Sequence, residues 1–279
     1  MSFDEQYAKN RAALQRLLKK VGVKAKRENG QNFLVDGTVA EDLVNAANVT
    51  SQDHILEIGP GLGAVTELLL ERGARVTGIE LDERLAQHLT KRFSADSRVR
   101  IIHADVLKVH LEDIVTDQAY KLVSSLPFNI TSLVLRNFLE RFPRPTEISL
   151  LIQKEVAERV AAPPGQSSLL SLSCQYLGQP EIRRIVPSGC FFPEPKVDGA
   201  IIHIRVRPLP PELERTLFFR IARIGFSARR KTLANNLQAG MRISREKTHK
   251  MLEKCGIPLM ARPQELSVED WLKLSNLFV

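Results

Sequence analysis

The residues richest in chemistry stand where short aliphatic runs end. HILEI (54–58) runs straight into GPGLGA, so Glu57, Gly59, Gly61 and Gly63 fall on a turn between a strand and a helix. Glycine is required where backbone must approach a ligand closely and where φ is positive. The next run, RVTGI, leads to Glu80 in GIELD, where a carboxylate would accept hydrogen bonds from both hydroxyls of a ribose. A third acid, Asp105 in HADVL, follows the run after that and is placed to accept from an adenine amine. The set points to a cofactor containing a nucleoside. Nicotinamide and flavin enzymes use nearly the same glycine turn, so the turn alone leaves the cofactor open.

The fourth run leads into SSLPFNIT (124–131), which sets an aromatic beside a proline at a strand end. An aromatic amine is a poor nucleophile because its lone pair is delocalised into the ring. Acceptors held against its N–H bonds favour a pyramidal nitrogen and free that lone pair, while an aromatic face holds the base. Here the acceptors would be the Ser125 hydroxyl and the Leu126 carbonyl, with Phe128 as the stacking face and Phe191 in CFFPEPKVDG closing the other side. Such stacking is worth about 1–3 kcal/mol per base. In-line attack of that lone pair on an activated carbon then needs neither a metal nor a covalent intermediate.

Seven candidate strands position these residues: 54–58, 75–79, 99–102, 121–124, 148–152, 182–186 and 200–206. Amphipathic stretches such as AVTELLLERG (64–73) and ERLAQHLTKRF (83–93) lie between the early ones. That alternation predicts a parallel, doubly wound α/β sheet. The last two strands are joined by a proline-rich turn instead of a helix, which predicts an antiparallel pair at that end. PLPPEL (208–213) breaks the pattern and only helical periodicity follows, so a first domain is expected over 1–207 and an all-helical second domain over 208–279. AAPPGQSS (161–168) reads as a loop within the first domain, because apolar periodicity resumes directly after it.

The net charge of +8 is unevenly divided. Lys and Arg against Asp and Glu number 8 and 3 in residues 1–30, 14 and 19 in 31–180, and 18 and 10 in 181–279. Basic ends around an acidic middle favour a polyanionic partner, since Lys and Arg at phosphates release condensed counterions. The clusters expected to meet RNA are Lys24, Lys26 and Arg27 before the GQNF segment, and Arg223, Arg229, Arg230 and Lys231 in the second domain. Cys174, Cys190 and Cys255 form no C-x-x-C pair and the six histidines have no ligand spacing, so neither disulfides nor a metal site is expected. MSFDEQYAKN is polar and no run of about 18 apolar residues occurs, which predicts a cytoplasmic protein without a membrane segment.

One glycine turn with acids after two successive strands resembles class I methyltransferases more than dehydrogenases, and SLPF resembles the (N/D)-P-P-(Y/F) motif of amino-methyltransferases. Seven motifs occur in order: GQNFLVD (30–36), LEIGPGLG (56–63), IELD (79–82), LPFNIT (126–131), LLIQKEVAERV (150–160), FFPEPKVDGAIIHI (191–204) and FSARRKTLANNL (226–237). From about Lys26 onward the chain resembles the bacterial small-subunit (16S) ribosomal RNA adenine dimethyltransferases, the KsgA/RsmA group. The resemblance implies a Rossmann-like seven-stranded sheet with a small helical domain. It implies S-adenosyl-L-methionine as cofactor and N6-dimethylation of two adjacent adenosines in the 3′-terminal hairpin of 16S rRNA, within the immature small subunit. Cofactor contacts carry over onto Asn32, Leu34, Gly59, Gly61, Glu80, Asp105 and Ser125, and a monomer is expected. The family normally has asparagine at 125 and tyrosine at 128, and it carries a Tyr-Gly pair in the loop after 161 that this chain lacks. An alternative is therefore a catalytically impaired or inactive assembly factor of the same fold. The related resistance methyltransferases of large-subunit RNA share the early motifs, but FSARRKTLANNL and the basic carboxyl domain argue against them.

Overall fold

The computed structural model describes residues 3–23, 25, 31–115, 119–141 and 143–278. The chain divides into two compact units, the first formed by 1–157 with 180–206 and the second by 158–179 with 207–279.

The first unit opens with α1 (Phe3–Val21), β1 (Phe33–Leu34) and α2 (Gly37–Ala46), followed by β2 (His54–Ile58), α3 (Ala64–Glu71), β3 (Arg75–Glu80), α4 (Glu83–Arg92) and β4 (Val99–His103). After these come β5 (Lys121–Ser125), α5 (Thr131–Glu140), β6 (Glu147–Gln153) and α6 (Lys154–Val160), which runs past residue 157. The next helix, α7 (Leu169–Leu177), belongs to the second unit, and β7 (Gly178–Val186) from residue 180 onward, β8 (Phe191–Phe192) and β9 (Gly199–Val206) complete the first. All seven expected strands form, and they make one sheet in the order β4-β3-β2-β5-β6-β9-β7. β2 pairs in parallel with β3 and β5, β3 with β4, and β5 with β6, whereas β9 runs antiparallel to β6. The chain order reverses between β2 and β5, and in open α/β sheets a ligand crevice forms at the carboxyl ends of the strands at such a point.

Burial explains the regularity of the centre. Every residue of β2 is buried, including Glu57, because the strand is paired on both edges and covered on both faces. The helices that follow start where the sequence supplies caps. The Asp82 carboxylate accepts from the backbone N–H of Arg84 and Leu85 at the head of α4, and Asp36 does the same for Thr38 at the head of α2. β1 and β8 form a short antiparallel ribbon that the spacing of apolar residues did not reveal, with Phe33 opposite Phe192 and Leu34 opposite Phe191.

The second unit adds α8 (Glu212–Gly225), α9 (Leu233–Met241), α10 (Arg245–Lys254) and α11 (Val268–Ser275) to α7. Its core stacks Tyr176 on Phe218 at 3.8 Å between ring centroids and Phe226 on Trp271 at 5.4 Å. Residues 161–168 belong here and not to the first domain, where periodicity had put them. Hydrogen bonding is the reason: the Gly165 and Ser167 backbone N–H groups donate to the Gln264 carbonyl, and the Gln175 amide donates to the Val160 and Ala162 carbonyls.

Asn236, buried in α9, donates to the Gly225 carbonyl at 2.5 Å and the Ala228 carbonyl at 3.0 Å, pinning the turn between α8 and α9 from within. Asn236→Ala strands both acceptors and should cost about 1–3 kcal/mol. Thermal unfolding of the purified variant reads this, and an unchanged midpoint would show that the turn holds itself.

Candidate active site

Each acid at the mouth of the sheet is placed by a strand end. Glu80 closes β3, and its two carboxylate oxygens accept from the backbone N–H of Gly61 (2.9 Å) and of Asp82 (3.0 Å). The turn can bring Gly61 there because Gly59, Gly61 and Gly63 have φ of +64°, +62° and +86°. A Cβ on Gly63 would also meet Leu89 at 2.9 Å and Phe93 at 3.0 Å, so the head of α3 lies against α4 only without a side chain there. Asp105 follows β4, accepts from the Leu107 N–H at 3.0 Å and lies 3.4 Å from the Lys108 ammonium. Glu57 is 1% exposed and accepts from the Thr66 hydroxyl at 2.6 Å.

These groups enclose a cavity of about 520 Å³, within the ordinary range for a small-molecule site. Asn32, Leu34, Gly59, Gly61, Glu80, Asp105 and Ser125, expected around one cofactor, all line it. Ser125 ends β5, and its hydroxyl has no hydrogen-bond partner among the described residues. Sequence reasoning passed over four further lining residues. Glu57 was read only as part of the turn, although an acid inside a buried strand is itself a signal. Leu81 and Val106 each follow one of the acids directly, and Leu81 is 68% exposed, an unusual position for leucine that suits the face of a flat ring. Asn129 lies in the SLPFN turn itself.

Leu126, Phe128 and Phe191 are not among the lining residues. The Leu126 N–H donates to the Leu151 carbonyl at 3.1 Å, which fixes the turn after β5 against β6. Phe128 is half-buried and meets Phe191 edge-on, with centroids 6.0 Å apart and planes at 72°. Phe191 offers no free face: it is 1% exposed within the core, where the missing side chain of Gly199 leaves its ring room. It supports Phe128 from behind, which corrects the expectation of a second stacking surface.

Arg229, Arg230 and Lys231 are exposed together on the turn that Asn236 holds. Arg223 is exposed in the last turn of α8, its guanidinium 5.9 Å from the Phe219 ring centre. Lys24, Lys26 and Arg27 lie outside the described residues. Among the described residues no group of three or more His, Cys, Asp or Glu could hold a metal ion, and no helix is long and apolar enough to cross a membrane.

A doubly wound sheet of this order, with a glycine turn and acids at successive strand ends, defines a class I methyltransferase fold. Comparison with known proteins agrees. The family model described as ribosomal RNA adenine dimethylase matches residues 22–279. Proteins named ribosomal RNA small subunit methyltransferase A are 41% identical in Dehalococcoides mccartyi, covering 90% of this chain and 88% of that one, and 36% identical in Clostridium acetobutylicum, covering 93% and 96%. Among solved structures, the 23S rRNA methyltransferase ErmE superposes with a TM-score of 0.73 at 27% identity, over 88% of this chain and 98% of that one. A dimethyladenosine transferase from Plasmodium falciparum gives 0.77 at 23% identity over 88% and 97%, a likeness of fold. The chain belongs to the ribosomal RNA adenine dimethylase family.

Burial pushes the Glu57 carboxyl up from 4.5 to about 8, with the Thr66 hydroxyl opposing and Glu80 adding to the rise. Glu80 is raised as well, chiefly by burial. A carboxyl that keeps its proton when folded but releases it near 4.5 when unfolded favours the native state at low pH, and that advantage is lost as pH rises from about 4.5 to about 8. Glu57→Gln should remove this slope. Without ligand, the variant should gain on the wild type by up to a few kcal/mol between pH 5 and pH 8, as read by denaturant unfolding across that range. Parallel curves would mean that Glu57 is charged in the fold.

Proposed function

We propose that this protein uses S-adenosyl-L-methionine to dimethylate the N6 amines of two adjacent adenosines in the 3′-terminal hairpin of 16S rRNA, within the immature small subunit. The observation that carries the reading is the placement of the SLPFN turn, with Ser125, Pro127 and Asn129 on the wall of the cavity that also holds the glycine turn, Glu80 and Asp105. A nucleoside amine and a nucleoside-containing donor would thus meet in one chamber.

The residues fit such a donor. Glu80 retains lone pairs for ribose hydroxyls beyond its two backbone bonds, and Leu81 and Val106 offer apolar surface beside Asp105, an acceptor suited to an adenine amine. The family's cofactor positions fall on Asn32, Leu34, Gly59, Gly61, Glu80, Asp105 and Ser125 of this chain. When bound, the donor supplies a sulfonium methyl group open to in-line attack. The Leu126 carbonyl and a side-chain oxygen of the SLPFN turn would accept from the target amine, and Phe128, backed by Phe191, would carry the base. The adenine N–H proton leaves after attack, so no strong base is required in the wall. The relatives that cover most of this chain carry methyltransferase names, and an inactive assembly factor is not favoured.

The protein would act in the cytoplasm as a monomer and engage RNA through Arg223, Arg229, Arg230 and Lys231, with Lys24, Lys26 and Arg27 contributing from the amino-terminal side. The basic residues on the α8–α9 turn are exposed and held by a buried amide, as a phosphate-binding loop requires.

Incubation with labelled S-adenosyl-L-methionine and small subunits lacking the modification should yield dimethyladenosine by mass analysis. Preserved donor binding with no methylated adenosine would refute the catalytic reading. Arg229→Glu with Arg230→Glu should weaken subunit binding and lower the slope of log affinity against log salt by about 1–2. An unchanged slope would assign the cluster to solvated surface.

A further inference from the structure

Asn129, like Ser125, is a polar side chain of the SLPFN turn without a hydrogen-bond partner among the described residues. Asparagine just ahead of a helix ordinarily caps it, and α5 begins at Thr131. Yet the cap position is Ile130, no side chain bonds there, and Asn129 has no hydrogen-bond partner among the described residues. Other polar groups of the turn are used. The Pro127 carbonyl accepts from the Ile130 N–H, the Phe128 carbonyl from the Thr131 hydroxyl, and the Leu126 N–H is bonded to Leu151. The Asn129 side chain is exposed and lines the same cavity as Ser125.

Ser125 is short, and its single hydroxyl can rotate to donate elsewhere, so it holds an acceptor less firmly than an amide would. We propose that Asn129 is a catalytic residue whose amide oxygen accepts one N–H of the target adenine amine, with the Leu126 carbonyl accepting the other. This assignment rests on the methyltransferase reading of the site. The nitrogen lone pair forms the new N–C bond, the donor's S–C bond breaks with its electron pair going to sulfur, and the nitrogen then loses one proton to solvent. An unmodified amine has two N–H bonds and the monomethylated amine has one. Loss of one acceptor therefore impairs the first transfer more than the second.

The test uses the full-length protein, small subunits lacking the modification, and S-adenosyl-L-methionine. Asn129→Ala should lower the rate constant of the first methylation about 10- to 100-fold, the range for one lost hydrogen bond in a transition state. KM for subunits should stay unchanged and no excess of monomethyladenosine should accumulate. S-adenosylhomocysteine binding by calorimetry should match the wild type, confirming an intact fold. Ser125→Asn in the Asn129→Ala background should restore most of the lost rate by returning an amide to the wall. Equal rates for Asn129→Ala and wild type overturn the assignment, as does a loss confined to KM or an equal slowing of both transfers. A wild type that binds S-adenosylhomocysteine but methylates nothing overturns the methyltransferase reading, and the assignment with it.

Discussion

The hydrogen bond from the Gly61 amide to the Glu80 carboxylate is the constraint on which the site depends. It ties the turn after β2 to the end of β3, and the same carboxylate reaches forward to Asp82, which caps α4. One side chain thereby fixes where a glycine turn, a strand end and a helix start meet. The turn can make that contact only in the left-handed region, where a side chain would be strained. Binding such an acid in a desolvated place raises its pKa, and the cost is recovered only if a ligand brings donors to it. The pocket is thus built with unsatisfied capacity at one end and, at the other, the Ser125 hydroxyl, which has no partner among the described residues.

The sheet was legible because its strands obey simple rules. A strand such as β2, buried on both faces, reads as an unbroken aliphatic run, and the helices between the strands alternate faces with the expected period. The acids were legible for a related reason: a carboxylate directly after an apolar run has few purely structural explanations. Those signals are local, and each seven-to-ten-residue window carried its own.

What could not be read was set by partners distant in sequence. The β1–β8 ribbon is two residues long on each side, too short for any periodicity, and it exists because Phe33 meets Phe192 across the first unit. Phe191 looked like a face for a base by its motif, but Gly199 and the surrounding aliphatics decide its burial. Residues 161–168 looked like a loop of the first domain, and two hydrogen bonds to the Gln264 carbonyl, about a hundred residues downstream, put them with the second unit. Asn129 was passed over because nothing in its local sequence sets it apart from an ordinary turn residue, and its lack of a cap bond is visible only in three dimensions.

The β1–β8 ribbon also sets a schedule. Phe33 lines the donor cavity, yet its strand has no partner until Phe191 and Phe192 have been made. During synthesis the glycine turn and its acids are available after about a third of the chain, while that wall must wait for about two thirds of it. Closure across so long a loop is slow relative to local helix and turn formation. A nascent chain would therefore carry the parts of a nucleoside pocket well before it could hold a nucleoside in it.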